Sequence, residues 1–275
     1  MNLLAKPVRL YVNGVALWSE RLPGWERARA VLSGEAPPPA DAVPRPAPQR
    51  LPPTERRRAP DTVAVALEAA LAACRYAELP PASLPCVFSS MHGDLAITDY
   101  MCATMAATPA LVSPTRFHNS VHNAAAGYWT IAADCTRPYT ALSAGEHSFG
   151  AGLLEACVQA TSGAENVLLV AYDIDARGPL APVARSKHLL AAALIVGTER
   201  GAHALAQFDL ELAAGESLAA TPARAENAAL VAGNSTESCL PLMEALAAGW
   251  NSGGARDVRV LATSALALNL RLRPP

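Results

Sequence analysis

Residues 113–157 constrain the fold more than any other part of this 275-residue chain. Their sequence predicts a helix, a short apolar strand at residues 139–143, a tight turn, and a second helix at residues 146–162. Because the turn leads directly into the second helix, its side chains lie near a helix N-terminus, which favours negative charge. The layout predicts an α/β sheet with a candidate site at the start of that helix.

Strands and helices alternate along the rest of the chain. Residues 166–172 (NVLLVAY) are continuously apolar, which is typical of a strand covered on both faces. Between residues 37 and 60 nine prolines fix the backbone and remove donors, which predicts an extended surface connection. The alternation predicts one layered α/β domain over residues 1–275, with helices on the faces of the sheet.

Composition and charge exclude several functional classes. The net charge of −2 gives no overall field that would attract nucleic acid or an acidic membrane. No apolar run reaches the roughly 20 residues that a membrane span needs. The first apolar run is broken by Lys6, Pro7 and Arg9, unlike a signal peptide. We therefore expect a cytoplasmic protein that binds neither nucleic acid nor membrane.

The six cysteines and the clustered histidines do not predict a metal site. No cysteines form a CxxC pair, so we expect reduced thiols in the core. His118 and His122 would share a face if both were helical, with His92 as the nearest third ligand. Hydrogen-bonded core or interface histidines are the favoured interpretation, and no metal or cofactor is predicted.

Three segments of the chain resemble β-ketoacyl synthases, the condensing enzymes with a thiolase-like fold. Residues 119–127 (NSVHNAAAG) match the segment before the nucleophile strand, and residues 55–58 (ERRR) match the basic run ahead of the first long helix. Residues 162–172 match the turn and strand after the nucleophile helix. The resemblance implies a thiolase-like fold truncated in its second half. Residues 1–200 resemble the N-terminal half, and residues 201–275 a shortened remnant of the second.

The resemblance also implies that the nucleophile is missing. In these enzymes a cysteine thiolate at the helix N-terminus attacks an acyl thioester, and two histidines of the second half stabilise the developing charge. Counting back from the Ser-Gly turn at residues 162–163 puts this slot at about Glu146, with Ala144, Gly145 and His147 as the other candidates. None of these is a cysteine, and the two histidine motifs have no counterpart.

The pattern is similar to the chain-length-factor family of aryl polyene and related type II polyketide clusters, whose members pair with an active ketosynthase. This similarity implies a heterodimer or heterotetramer that elongates acyl chains on an acyl carrier protein, reached through the ketosynthase. The basic run at residues 56–58 is a candidate contact for the acidic carrier, although an ordinary solvated or salt-bridged basic turn is the favoured interpretation. We expect apolar surface, exposed by the shortened second half, to be covered by the partner. The implied interface and tunnel residues are Phe117, His118, Asn119, Ser120, His122, Asn123, Tyr128, Glu146, His147 and Phe149.

Two alternative activities remain open from the residues alone. Residues 146–150 (EHSFG) approach the Gly-x-Ser-x-Gly elbow of hydrolases and acyltransferases, with Glu146 replacing the first glycine. In that case Ser148 would be the nucleophile, with His188 or His203 as its base. Alternatively, the Glu146 carboxylate would support decarboxylation of a malonyl group on the carrier. As a structural residue, Glu146 would only stabilise the helix start, by about 0.3–1 kcal/mol.

Overall fold

The computed structural model describes residues 6–184, 186–250 and 254–275. Within these residues nine strands form one sheet, in the order β4-β3-β5-β6-β1-β7-β9-β8, with β2 paired to β1. The β4-β3-β5 pairings are parallel and the others are antiparallel. The strands are β1 (Val8–Ser19), β2 (Leu22–Pro23), β3 (Cys86–Ser89), β4 (Tyr139–Leu142), β5 (Asn166–Asp173), β6 (Leu190–Gly197), β7 (Ala206–Ala214), β8 (Arg256–Thr263) and β9 (Leu266–Arg273).

Helices cover both faces of the sheet at strands β4, β3, β5, β6 and β1. Helices α3 and α6 pack on one face, and α1, α7 and α10 pack on the other. The predicted α/β layering is therefore confirmed. The helices are α1 (Trp25–Ser33), α2 (Pro53–Arg58), α3 (Asp61–Ala77), α4 (Leu95–Ala107), α5 (Pro114–His118), α6 (Ala124–Ala132), α7 (Ser148–Thr161), α8 (Ala181–Ala184), α9 (Ala225–Ala228) and α10 (Leu240–Ala247).

Strand β1 joins the two parts of the sheet. Its residues Tyr11–Ser19 pair with β6, and its residues Val8–Val12 pair with β7. A bulge between Val12 and Gly14 lies where the pairing changes. The strands formed after residue 200 therefore extend the same sheet.

The sheet face of β7, β9 and β8 on the α3 side is charged and open. Arg9 pairs with Asp209 at 3.2 Å, and Arg271 pairs with Asp257 at 3.9 Å across neighbouring strands. An open groove of about 540 Å³ lies over this face. The expectation that the shortened second half exposes apolar surface does not hold for this face, because many of its outward residues are charged and several form ion pairs.

Two local expectations need correction. The proline-rich connection contains helix α2, which begins at Pro53, a residue suited to the first turn of a helix. Five of the six cysteines are buried as expected, but Cys102 on α4 is exposed. Burial raises the pKa of Cys74 and Cys157 to about 12, so these thiols stay protonated at neutral pH.

Among the helices of the described residues, none combines the length and apolar character needed to cross a bilayer.

Candidate functional site at the start of helix α7

A five-residue turn connects strand β4 to helix α7. The strand ends at Leu142 and the helix begins at Ser148. Gly145 has φ +60°, a left-handed conformation that glycine adopts without a Cβ clash. The strand, sharp turn and helix predicted from the sequence are thus present, and the turn residues lie at the N-terminal end of α7.

Close packing fixes the position of α7 against the sheet. A Cβ added to Gly150 would overlap the main-chain carbonyl of Leu261 in β8. Phe149 and Leu153 pack into the core on this face of the sheet. The start of α7 is therefore held by backbone contact, which sets the position of the turn before it.

Glu146 occupies the turn as an exposed carboxylate. Its side chain is 83% exposed, and its Oε1 lies 3.8 Å from Nε2 of His147. The cysteine of α7 itself, Cys157, is buried in the core further along the helix. The turn therefore presents no thiol at the helix N-terminus. A solvated carboxylate also lacks the desolvated setting that a decarboxylation site uses.

Ser148 is part of the turn rather than an available nucleophile. Its buried hydroxyl donates to the carbonyl of Gly145 at 2.6 Å and accepts from the N–H of Ala144 at 3.0 Å. No histidine among the described residues is hydrogen-bonded to it.

The two histidines considered as bases for Ser148 have other partners. His188 lies 3.4 Å from Glu20, and His203 lies 3.3 Å from Glu78. The hydrolase and acyltransferase alternative therefore fails on geometry, because the serine hydroxyl is occupied and has no base.

A cavity of about 480 Å³ opens beside the turn. Met91 from the loop after β3 lines it, together with Glu146 and His147. Leu261 of β8 and Asn234 complete much of the wall. The start of α7 thus faces a space large enough for a small ligand, and none of the residues that line it is a cysteine.

A buried carboxylate that the sequence analysis missed ties the loops around this cavity together. Asp173, at the end of β5, accepts from Ser90 Oγ at 2.8 Å, from the N–H of Met91 at 3.1 Å and from Thr236 Oγ1 at 2.9 Å. Burial raises the pKa of Asp173, while these hydrogen bonds oppose the rise. The available signal was an acidic residue placed directly after the apolar run of residues 166–172.

The predicted interface residues divide into surface and core positions. Most are exposed or half-buried, namely Phe117, His118, Ser120, His122, Asn123, Tyr128, Glu146 and His147. Asn119 and Phe149 are buried. Both side chains are covered within the chain itself, and their assignment to the interface or tunnel stays a prediction. Phe149 packs in the core beneath α7.

The three histidines considered for metal binding do not form a cluster, and two of them contact separate main-chain carbonyls. Helix α5 ends at His118, so His118 and His122 do not share a helical face. Nε2 of His122 lies 2.9 Å from the carbonyl of Ser90, and Nε2 of His92 lies 3.2 Å from the carbonyl of Ala184. Among the described residues, no group of three His, Cys, Asp or Glu side chains is placed to hold a metal ion.

Exposed apolar side chains gather around the edge strand β4, which is the last strand of the sheet on that side. Helix α6 contacts β4 at this edge, and α4 contacts α5. Leu111 is 70% exposed, Phe117 63% and Ile131 80%. We call this region the β4-side surface; it comprises Met105, Leu111, Phe117, Val121, Ile131 and Tyr139.

The described residues combine a layered sheet with a strand, a sharp turn and a helix, and the turn contains no cysteine. The family described as "Beta-ketoacyl synthase, N-terminal domain" matches residues 24–252, which is most of the chain. The chain therefore belongs to the β-ketoacyl synthase family. A search of curated proteins found no match.

Solved structures of ketosynthases share the fold. One is described as the ketosynthase ApeO in complex with its chain length factor ApeC from Xenorhabdus doucetiae. It has a TM-score of 0.71 at 22% identity, over 96% of this chain and 99% of that chain. The ishigamide ketosynthase/chain length factor gives a TM-score of 0.70 at 18% identity, over 96% and 99%. AntDE:AntF, a type II polyketide carrier protein with its ketosynthase, gives 0.74 at 10% identity, over 98% and 100%.

At these identities the likeness establishes the ketosynthase, thiolase-like fold. The near-complete coverage of both chains shows that proteins of similar extent adopt it. By their descriptions, two of these relatives are ketosynthase and chain length factor complexes, and one includes an acyl carrier protein.

Proposed function

We propose that this chain is the non-catalytic, chain-length-factor subunit of a heterodimeric β-ketoacyl-ACP synthase. The partner ketosynthase would supply the cysteine and both histidines, and this chain would supply half of the interface and part of the tunnel wall. The product would be a polyene, polyketide or fatty acyl chain held on the carrier protein. The turn before α7 carries this proposal, since it presents the exposed Glu146 where a ketosynthase needs a thiolate.

The apolar character of the β4-side surface supports the proposal of a permanent partner. Helix α4 is apolar around its circumference, yet its second half is largely exposed, including Cys102 and Met105. An apolar helix of this kind is usually covered, and contiguous exposed apolar patches mark protein interfaces. Among the described residues, the outer edge of β4 pairs with no strand, which leaves main-chain donors and acceptors for a partner.

The carrier protein is proposed to arrive with the ketosynthase, and helix α2 is suited to contact it. Arg57 and Arg58 are exposed or nearly so, and neither forms an ion pair with the described residues. Arg58 also lines a groove of about 990 Å³ that reaches Tyr128 and Ile131 on α6. Unpaired guanidinium groups beside an apolar groove complement an acidic partner with an apolar patch.

Co-expression with the ketosynthase encoded nearest to this chain tests the proposal. We expect light scattering to give a one-to-one complex or its dimer, and condensation of acyl and malonyl carrier proteins only in the mixture. A chain that stays monomeric with the ketosynthase present, while the ketosynthase condenses unaided, would contradict the proposal.

Matched variants test the two proposed contact surfaces, namely the β4-side surface for the ketosynthase and helix α2 for the carrier protein. Leu111→Asp puts a charge into the β4-side surface, away from the Arg58 groove, and is expected to abolish the complex. Tyr76→Asp changes an apolar residue exposed at the end of α3 and should not. Arg57→Glu with Arg58→Glu is expected to raise the KM for the carrier while the complex persists. Arg200→Glu, an exposed arginine in another turn, is its control. Equal effects of test and control variants would refute the assigned surface.

A further inference from the structure

The loop after β3 is held from two sides by side chains of other segments. His122, in the linker between α5 and α6, contacts the carbonyl of Ser90 through Nε2 at 2.9 Å. Ser143, in the turn before α7, donates to the carbonyl of Met91 at 2.8 Å. Because Asp173 also accepts from the N–H of Met91 at 3.1 Å, the main chain of this loop is fixed at three points.

The linker that contains His122 belongs to the β4-side surface. Val121 is half exposed there, and the amide of Asn123 donates to the hydroxyl of Tyr139 at 3.0 Å. A strand or helix docked against Tyr139 would therefore press on residues directly beside His122. On the other side of the loop, Met91 lines the cavity beside Glu146.

We infer that His122 is a positioning residue that transmits docking of the partner to Met91 and thereby sets the shape of the cavity beside Glu146. This inference rests on the proposed function. The contact at Ser90 is the mechanical link, because a shift of the imidazole moves the carbonyl that precedes Met91. Met91, an unbranched side chain, adapts to such a shift and changes the space left for an acyl chain.

The test follows the Met91 methyl group by NMR in the complex of the full chain with its ketosynthase, using methyl-labelled methionine. Addition of the ketosynthase is expected to shift the Met91 methyl resonance in the natural chain. In His122→Ala that shift should be lost, and His122→Gln should restore it, because the glutamine amide can still donate to Ser90. His203→Ala, which alters a histidine paired with Glu78, is the control.

Product length is the second readout. The ratio of the longest product to the next shorter one is expected to change about fivefold in His122→Ala, the factor that corresponds to one hydrogen bond of ordinary strength. A complex whose Met91 shift and product ratio are the same with alanine and histidine at residue 122 overturns the inference alone. Failure of the natural chain to form any complex overturns the proposed function as well.

Discussion

Gly150 of α7 lies directly against the main-chain carbonyl of Leu261 in β8, so close that a Cβ would overlap it. The contact is backbone to backbone, and a side-chain rearrangement cannot relieve it. The position of the turn before α7 therefore depends on the absence of a Cβ at residue 150.

Gly150→Ala is expected to lower the free energy of unfolding by about 1–3 kcal/mol, the usual cost of overpacking a core. Urea denaturation followed by circular dichroism measures the change. Gly127→Ala in α6 is the matched control, since its Cβ would meet no atom within 4 Å. Alanine there should stabilise the helix by about 0.5–1 kcal/mol. Equal effects at the two positions would contradict the packing argument.

Ser148→Ala removes two hydrogen bonds from the turn and should lower stability by about 1–2 kcal/mol. Condensation by the complex is expected to continue, because the Ser148 hydroxyl takes no part in chemistry. Thioester hydrolysis by this chain alone should be absent with either residue. A thioesterase activity that disappears in the alanine variant would restore the serine-nucleophile interpretation.

Cys102 provides a chemical footprint of the interface. A chromogenic disulfide reagent is expected to label one thiol rapidly in the folded chain, because the other five cysteines are buried. Unfolding in guanidinium should release all six. Since Cys102 lies on α4, binding of the ketosynthase should slow its labelling, and Cys102→Ser should abolish the rapid phase. Unchanged labelling in the complex would exclude this part of α4 from the interface.

Charge on the open sheet face should be irrelevant to assembly. Arg271→Glu breaks the exposed pair with Asp257, which contributes about 0–1 kcal/mol to stability. We expect the variant to bind the ketosynthase like the natural chain in light scattering. Loss of the complex would show that the partner also covers β7, β9 and β8.

Asp173→Asn should change how stability depends on pH. Burial raises the pKa of the Asp173 carboxyl above its ordinary value, so the folded chain binds this proton more tightly than the unfolded chain does. Between the ordinary value and the raised one, this residue therefore adds stability as pH falls. The stability advantage of the natural chain over Asp173→Asn should grow on acidification from pH 7.

Thermal unfolding at several pH values measures that difference. At neutral pH the asparagine variant should also be less stable, because its NH2 group must face one of the donors that Asp173 accepts. Asp257→Asn, on the exposed face, is the control. A difference that is constant with pH would refute the role of burial at Asp173.

Hydrophobic periodicity and turn residues were sufficient to predict the strands, the turn and the helix that surround the site. The apolar run of residues 166–172 predicts β5, and the short strand before a tight turn predicts β4 and the start of α7. These signals are local, because each depends on neighbours in the chain. The turn around Gly145 was predictable for the same reason.

The features that decide the character of the site arise from contacts between distant segments. Asp173 joins the loop after β3 to Thr236, and no pattern in one sequence reveals that meeting. Ser148 resembled the nucleophile of a Gly-x-Ser-x-Gly elbow because a sequence motif gives only the spacing of residues. It does not show that the Ser148 hydroxyl is hydrogen-bonded within the turn. The charged face of β7, β9 and β8 was also missed, since the pairing of Arg9 with Asp209 depends on the strand order of the finished sheet.

The role of β1 as the joint of the sheet has a kinetic consequence. Val8 pairs with Leu210, and Ser19 pairs with Leu190, so this strand depends on residues roughly 170 to 200 positions later in the chain. During synthesis β1 emerges long before β6 and β7, so most of its residues lack their strand partners until those strands have left the ribosome. The half-built sheet then exposes free strand edges, so we expect slow folding that depends on chaperones. A chain truncated before β6 should never lose that dependence on chaperones.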